Sequence, residues 1–202
     1  MAVYNLQRFK LLLVEDNGYV RRILENILRD FQFGQITACA NGQEAIKFIK
    51  DMRDNPETAG AIGLDLVITD LLMAPINGLL LARWLRTAKE SPNRFVPIIM
   101  LSGAADSEYV NSARDLGATE FLGKPFSVET VYKHILEIIN YPRKFIATAN
   151  YFGPDRRRKQ TGPLGKEMRK TRQEDITTVY SAAKAVKPKK GSADVWCFRL
   201  PN

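Results

Sequence analysis

Three carboxylates, a hydroxyl and a lysine stand in this chain at the ends of short apolar runs. Glu15 and Asp16 close the run at 11–14, Asp70 the run at 66–69 and Ser102 the run at 98–101, while Lys124 follows the shorter run at 121–122. Carboxylates gathered at one point repel one another and raise one another's pKa unless a cation intervenes. Mg2+ suits such a set because it takes a few carboxylate oxygens, keeps several waters and bridges to a phosphate. A carboxylate beside a cation can also attack a phosphorus atom and form an acyl phosphate. The transition state of that transfer is loose, so a lysine and a hydroxyl serve it by positioning and charge neutralisation.

For this chemistry the four runs must lie side by side. Continuous apolar runs are what parallel strands look like when helices cover both faces of their sheet. Ligands then bind beyond the carboxyl ends of the strands, where the polar residues meet. The patterning predicts strands near 10–15, 35–39, 64–69, 96–101 and 119–122. Helical spacing falls between them. Val20, Ile23, Leu24, Ile27, Leu28 and Phe31 mark 18–32, and Ala45, Ile46, Phe48 and Ile49 mark 42–53, with Asn41 as N-cap. Leu79, Leu81, Ala82, Trp84 and Leu85 mark 78–90, and further helices are expected at 106–116 and at 127–139 behind Ser127. Strict alternation of five strands with five helices is an α/β pattern, a doubly wound parallel sheet with right-handed crossovers. The loop at 55–63 exceeds the usual βα connection and reads as a surface excursion.

At 202 residues, 45% of them hydrophobic, the chain has room for one well-cored soluble domain and a remainder. No apolar run approaches the roughly 20 residues of a membrane span. The N-terminus carries no secretory signal pattern, and Cys39 and Cys197 read as free thiols, so the expected location is the cytoplasm. Charge divides the chain: residues 1–141 hold 15 Lys/Arg against 17 Asp/Glu, and residues 142–202 hold 15 against 5. The expected organisation is therefore a domain at 1–141 and a basic extension at 142–202 without a core of its own. In the extension, residues 151–155 read as a turn and 156–159 as a basic run. Residues 166–186 read as a weak amphipathic helix, and 195–200 as a short strand or docking segment. His134, the sole histidine, has no second histidine to share a metal.

The ordered set LLLVEDN (11–17), VITDLLM (67–73), IIMLSG (98–103) and GATEFLGKPF (117–126) resembles the receiver domain of bacterial two-component response regulators. The resemblance covers roughly residues 8–140. It implies a flavodoxin-like sheet of order 2-1-3-4-5. It makes Asp70 the phosphoacceptor and places Mg2+ on Glu15, Asp16, Asp70 and the backbone carbonyl of Leu72. It makes Ser102 the switch hydroxyl, Phe121 the switch aromatic and Lys124 the phosphate-pairing base, with a cis peptide between Lys124 and Pro125. One departure stands out: Ala74 holds the place where the family usually has proline, and Pro75 follows, while Gly78 keeps its usual distance. The family positions that flank the phosphoryl group are here Leu72 and Ala104, both apolar, which implies slow loss of the phosphoryl group.

The implied function is a response regulator that takes a phosphoryl group from a phosphohistidine on a sensor histidine kinase or histidine phosphotransfer protein. Its output would be altered protein binding at the face of the fourth helix, fifth strand and fifth helix. Homodimerisation is left open, and a conventional enzyme is not implied, because the pocket acts on its own aspartate. Two alternatives stand beside this reading. One is a nucleic-acid-binding regulator using the basic tail, although helix-turn-helix spacing, zinc ligands and a reader fold are not discernible. The other is a phosphorelay intermediate that hands its phosphoryl group to a second histidine.

Overall fold

The computed structural model describes residues 6–55, 63–103, 107–148, 150–155 and 177–179. A 3-10 turn, Leu6–Arg8, leads into β1 (Lys10–Val14), α1 (Gly18–Asp30), β2 (Gln35–Cys39) and α2 (Gly42–Asp54). There follow β3 (Leu66–Asp70), α3 (Gly78–Thr87), β4 (Ile98–Ser102), α4 (Ser107–Asp115), β5 (Glu120–Gly123) and α5 (Val128–Asn140). These five strands form one parallel sheet in the order β2-β1-β3-β4-β5. The fold is the flavodoxin-like arrangement expected.

Side chains alternate across each strand, so the runs feed two cores. Leu12, Val14, Val67, Ile98 and Met100 face Ala45, Ile49, Leu81, Leu85 and Ala113 of α2, α3 and α4. Leu11, Leu13, Ile68, Ile99 and Leu101 face Leu24, Leu28, Val131 and Ile135 of α1 and α5. Every residue of β3 and β4 is buried, which is why their sequences run apolar without interruption. Truncating one such leucine to alanine costs about 2–5 kcal/mol.

The helices begin where short polar side chains can cap them. Asn41 Oδ1 accepts from the Glu44 N–H and Ser127 Oγ from the Thr130 N–H, as expected, and Asn17 and Asn77 do the same for α1 and α3. The third helix stops at Thr87, short of the expected 90. Ala88 turns extended at ψ 139°, and Ser91 Oγ donates to the Leu85 carbonyl and closes the end. Cys39 is a buried free thiol, pushed up to about 11 by burial. Cys197 lies outside the described residues, as does most of the 55–63 excursion.

The extension departs from expectation. Residues 151–155 are not a turn: β7 (Tyr151–Pro154) pairs antiparallel with β6 (Phe145–Thr148). The Gly153-Pro154 pair carries turn punctuation, yet Pro154 sits on an edge strand, where a missing N–H is tolerated. A third strand, β8 (Thr177–Val179), pairs with the other side of β6 and gives a small sheet of order β7-β6-β8. The helix expected at 166–186 is thus a strand at 177–179, where two threonines and a valine favour extended backbone. The remainder of that segment, the basic run at 156–159 and residues 195–200 lie outside the described residues.

Candidate functional site

The sheet reverses its order between β1 and β3, and their carboxyl ends deliver Glu15, Asp16 and Asp70 to one place. One carboxylate oxygen from each lies within 4.8 Å of the others. Glu15 is 1% exposed and Asp70 8%, whereas Asp16 is open to solvent. The strand ends are fixed by local bonds. Glu15 N–H donates to the Cys39 carbonyl at 3.1 Å and Asn17 N–H to Glu15 Oε1 at 3.3 Å. Arg21, one turn into α1, donates to the carbonyl of Glu15 at 2.6 Å. Behind Asp70, a Cβ on Gly78 would collide with the Asp70 carbonyl oxygen, so the β3–α3 loop closes only over glycine.

Lys124 completes the cluster from β5. Its Nζ lies 2.8 Å from Glu15 Oε2 and 3.0 Å from Asp70 Oδ1, which also accepts the Leu71 N–H at 2.9 Å. Ser102 follows Leu101, the register partner of Asp70, and its carbonyl accepts the Lys124 N–H at 2.7 Å. The peptide between Lys124 and Pro125 is cis, as the resemblance implied, and so is that between Ala74 and Pro75.

One ammonium does not neutralise this pocket. Burial raises the Asp70 carboxyl above its ordinary range despite Lys124, and Asp16 pushes it the same way. Burial likewise raises Glu15, again against the hydrogen bond from Lys124. For Lys124 burial works downward, but the bonds to Glu15 and Asp70 outweigh it and hold the ammonium charged. Two buried carboxylates and an exposed one around a single lysine suit a hard divalent cation with oxygen ligands, which fits Mg2+.

Phe121 and Leu72 add no carboxylate to the cluster. Phe121 pairs in register with Met100 and is partly packed on the core, with the Arg114 guanidinium 5.6 Å from its ring centroid. Leu72 is two residues past Asp70 with a side chain 48% exposed. Ala104 lies outside the described residues. Sequence reading passed over Arg21 and Arg114, because a lone arginine on a helix carries no spacing signal.

A flavodoxin-like sheet with an acidic cluster at its reversal point and a lysine reaching in from β5 defines a phosphoacceptor module. Residues 11–136 match the family model of the response regulator receiver domain, and the chain belongs to that family, the phosphoacceptors of two-component signalling. It is 34% identical over 134 residues to a probable transcriptional regulator, ycf27, of Porphyridium aerugineum, covering 66% of this chain and 49% of that protein. It is 32% identical over 133 residues to the 3',5'-cyclic-nucleotide phosphodiesterase regA of Dictyostelium discoideum, covering 65% of this chain and 15% of that one. The matched segment thus spans half or less of these two relatives. Among solved structures, the receiver domain of a Pseudomonas aeruginosa sensor histidine kinase has magnesium coordinated in its active-site cleft. It is 26% identical at a TM-score of 0.52, covering 64% of this chain and 94% of that chain. Among the described residues, no helix is long and apolar enough to cross a membrane.

Proposed function

We propose that Asp70 accepts a phosphoryl group from a phosphohistidine on a sensor histidine kinase or phosphotransfer protein in the cytoplasm. The observation that carries this is the position of Lys124 Nζ, 3.0 Å from Asp70 Oδ1 and 2.8 Å from Glu15 Oε2, inside a carboxylate cluster it does not neutralise. Glu15, Asp16, Asp70 and the Leu72 carbonyl would hold Mg2+, whose charge would offset that of the incoming phosphoryl oxygens.

The side chains divide the remaining work. Asp70 attacks phosphorus, the phosphorus–nitrogen bond of the donor breaks with its electron pair passing to nitrogen, and the histidine, already protonated at its other ring nitrogen, leaves as neutral imidazole. Lys124 exchanges its carboxylate contact for a phosphoryl oxygen. Ser102, at the end of the neighbouring strand, donates its hydroxyl to another. Phosphorylation adds about −1.5 to −2 charge at Asp70. Drawing Ser102 toward that charge opens space for Phe121, which biases the face of α4, β5 and α5 between two arrangements. The chain acts on its own aspartate and not on a small-molecule substrate.

Thermal unfolding with beryllofluoride, an acyl-phosphate mimic, tests the assignment. Wild type in Mg2+ is expected to gain stability by mass action, and Asp70→Asn to gain none. Equal stabilisation of both proteins would refute it.

A further inference from the structure

The family match ends at residue 136, yet the hairpin that follows is built into the domain at the opposite end of the sheet from the acidic cluster. Phe145 is buried, with ring centroids 5.1 Å from Phe95 and 5.7 Å from Phe152, and Phe95 lies 5.3 Å from Phe152. Two arginines of the domain hold these rings. Arg86 lies 5.2 Å from the Phe145 centroid and Arg94 lies 4.1 Å from that of Phe152. Arg86 is 1% exposed and donates from Nε and Nη2 to the Gly117 carbonyl at 3.2 and 2.9 Å. Its Nη1 donates to the Arg94 carbonyl at 2.9 Å, and Arg94 Nε returns a bond to the Arg86 carbonyl.

Backbones also meet here. Gly117 has φ +90°, and a Cβ on Gly153 would stand 3.1 Å from the Gly117 Cα, so the hairpin and the α4–β5 turn approach over two glycines. Arg143 Nη2 donates to Glu120 Oε1 at 2.7 Å, and Glu120 immediately precedes Phe121 on β5.

These contacts grip β4 and β5 at their amino ends, through Phe95 ahead of β4 and through Gly117 and Glu120 at β5. The carboxyl ends of the same strands carry Ser102 and Lys124, with Phe121 between. Each strand is short, on the order of 15 Å at about 3.3 Å per residue. A close-packed interior transmits a shift over that distance because it lacks room to absorb it.

We propose that the β6–β7 hairpin is an output element of this regulator: it reads the state of β4 and β5 at the end opposite Asp70 and passes it to the basic extension after Asp155. The inference rests on Asp70 being the phosphoacceptor. By linkage the coupling is reciprocal, so loosening the hairpin alters the affinity of the phosphoacceptor site for its ligands.

Amide hydrogen exchange on the full chain in Mg2+, with and without beryllofluoride, tests it. Peptides spanning 143–155 should change exchange rate by about threefold or more, together with those spanning 98–103 and 117–124. Arg143→Gln, and separately Phe152→Leu, should abolish the hairpin response and shift beryllofluoride affinity by roughly 2–5-fold. A response at 66–73 and 98–103 with none at 143–155 would overturn the coupling while leaving the phosphoacceptor assignment intact. A chain with no response at either place would overturn both.

Discussion

Lys124 Nζ lies 2.8 Å from Glu15 Oε2 although 109 positions separate the two residues. The pair joins the residue after β5 to the residue after β1 across the carboxyl end of the sheet, with β3 and β4 between them. Glu15 is buried and Lys124 partly so, so this bridge differs from an exposed ion pair.

Lys124→Ala is therefore expected to leave the Glu15 and Asp70 carboxylates without their shared cation. Loss of one partner of a buried pair costs about 1–3 kcal/mol, read in urea unfolding without divalent metal. Phosphorylation by acetyl phosphate should slow as well. Unchanged stability and rate would show that Lys124 does not serve the site.

Asp70→Asn should act on stability in the opposite direction. Burial holds the Asp70 and Glu15 carboxyls above their ordinary range. Between the ordinary and raised values the folded state binds more protons than the unfolded one, so the stability of the metal-free domain falls as pH rises through that window. Removing the Asp70 charge should raise the melting temperature in EDTA near about pH 7, and the gain should shrink as pH falls toward the ordinary carboxyl range. A variant that melts below wild type at neutral pH would contradict a crowded acidic pocket.

Phosphoryl lifetime should depend on Leu72 and Ala104. Neither side chain can orient a water for in-line attack, and Leu72, 48% exposed beside the site, can partly cover the phosphorus. Loss of an oriented water is worth about 1–3 kcal/mol, roughly 5–150-fold in rate. Decay over many minutes to hours is expected after the donor is removed, and Leu72→Asn with Ala104→Glu should hasten it about tenfold. A wild-type lifetime of seconds would sink this reading.

Phe145→Ala should cost roughly 3 kcal/mol, the toll of emptying a buried aromatic site. Phe145 is 4% exposed and touches Phe95, Phe152 and Arg86. Urea unfolding measures it, and a loss well under about 1 kcal/mol would mean that the hairpin does not pack on the domain.

The main sheet was legible because β3 and β4 are buried on both faces and β1 nearly so, and, apart from Lys10 at the start of β1, their polar residues fall toward or just past the carboxyl ends. The acidic cluster followed from those ends. The hairpin was not legible, since Gly153 and Pro154 read as turn residues, while the contacts that seat their neighbour Phe152 come from Phe95 and Arg94, some 60 positions earlier. Arg86 hid for a related reason. An arginine on an otherwise apolar helix face reads as solvated, and only the folded chain brings the Gly117 carbonyl and the Phe145 ring around it.

Whether Asp70 carries the phosphoryl group can be measured on the chain directly. The full chain should be incubated with acetyl phosphate and Mg2+, digested at low temperature and mapped by mass spectrometry. A single acid- and base-labile phosphoryl group is expected on the peptide containing Asp70, absent without Mg2+ and absent in Asp70→Asn. Lasting phosphorylation of the Asp70→Asn chain, or a label on any other residue of the wild type, would contradict it.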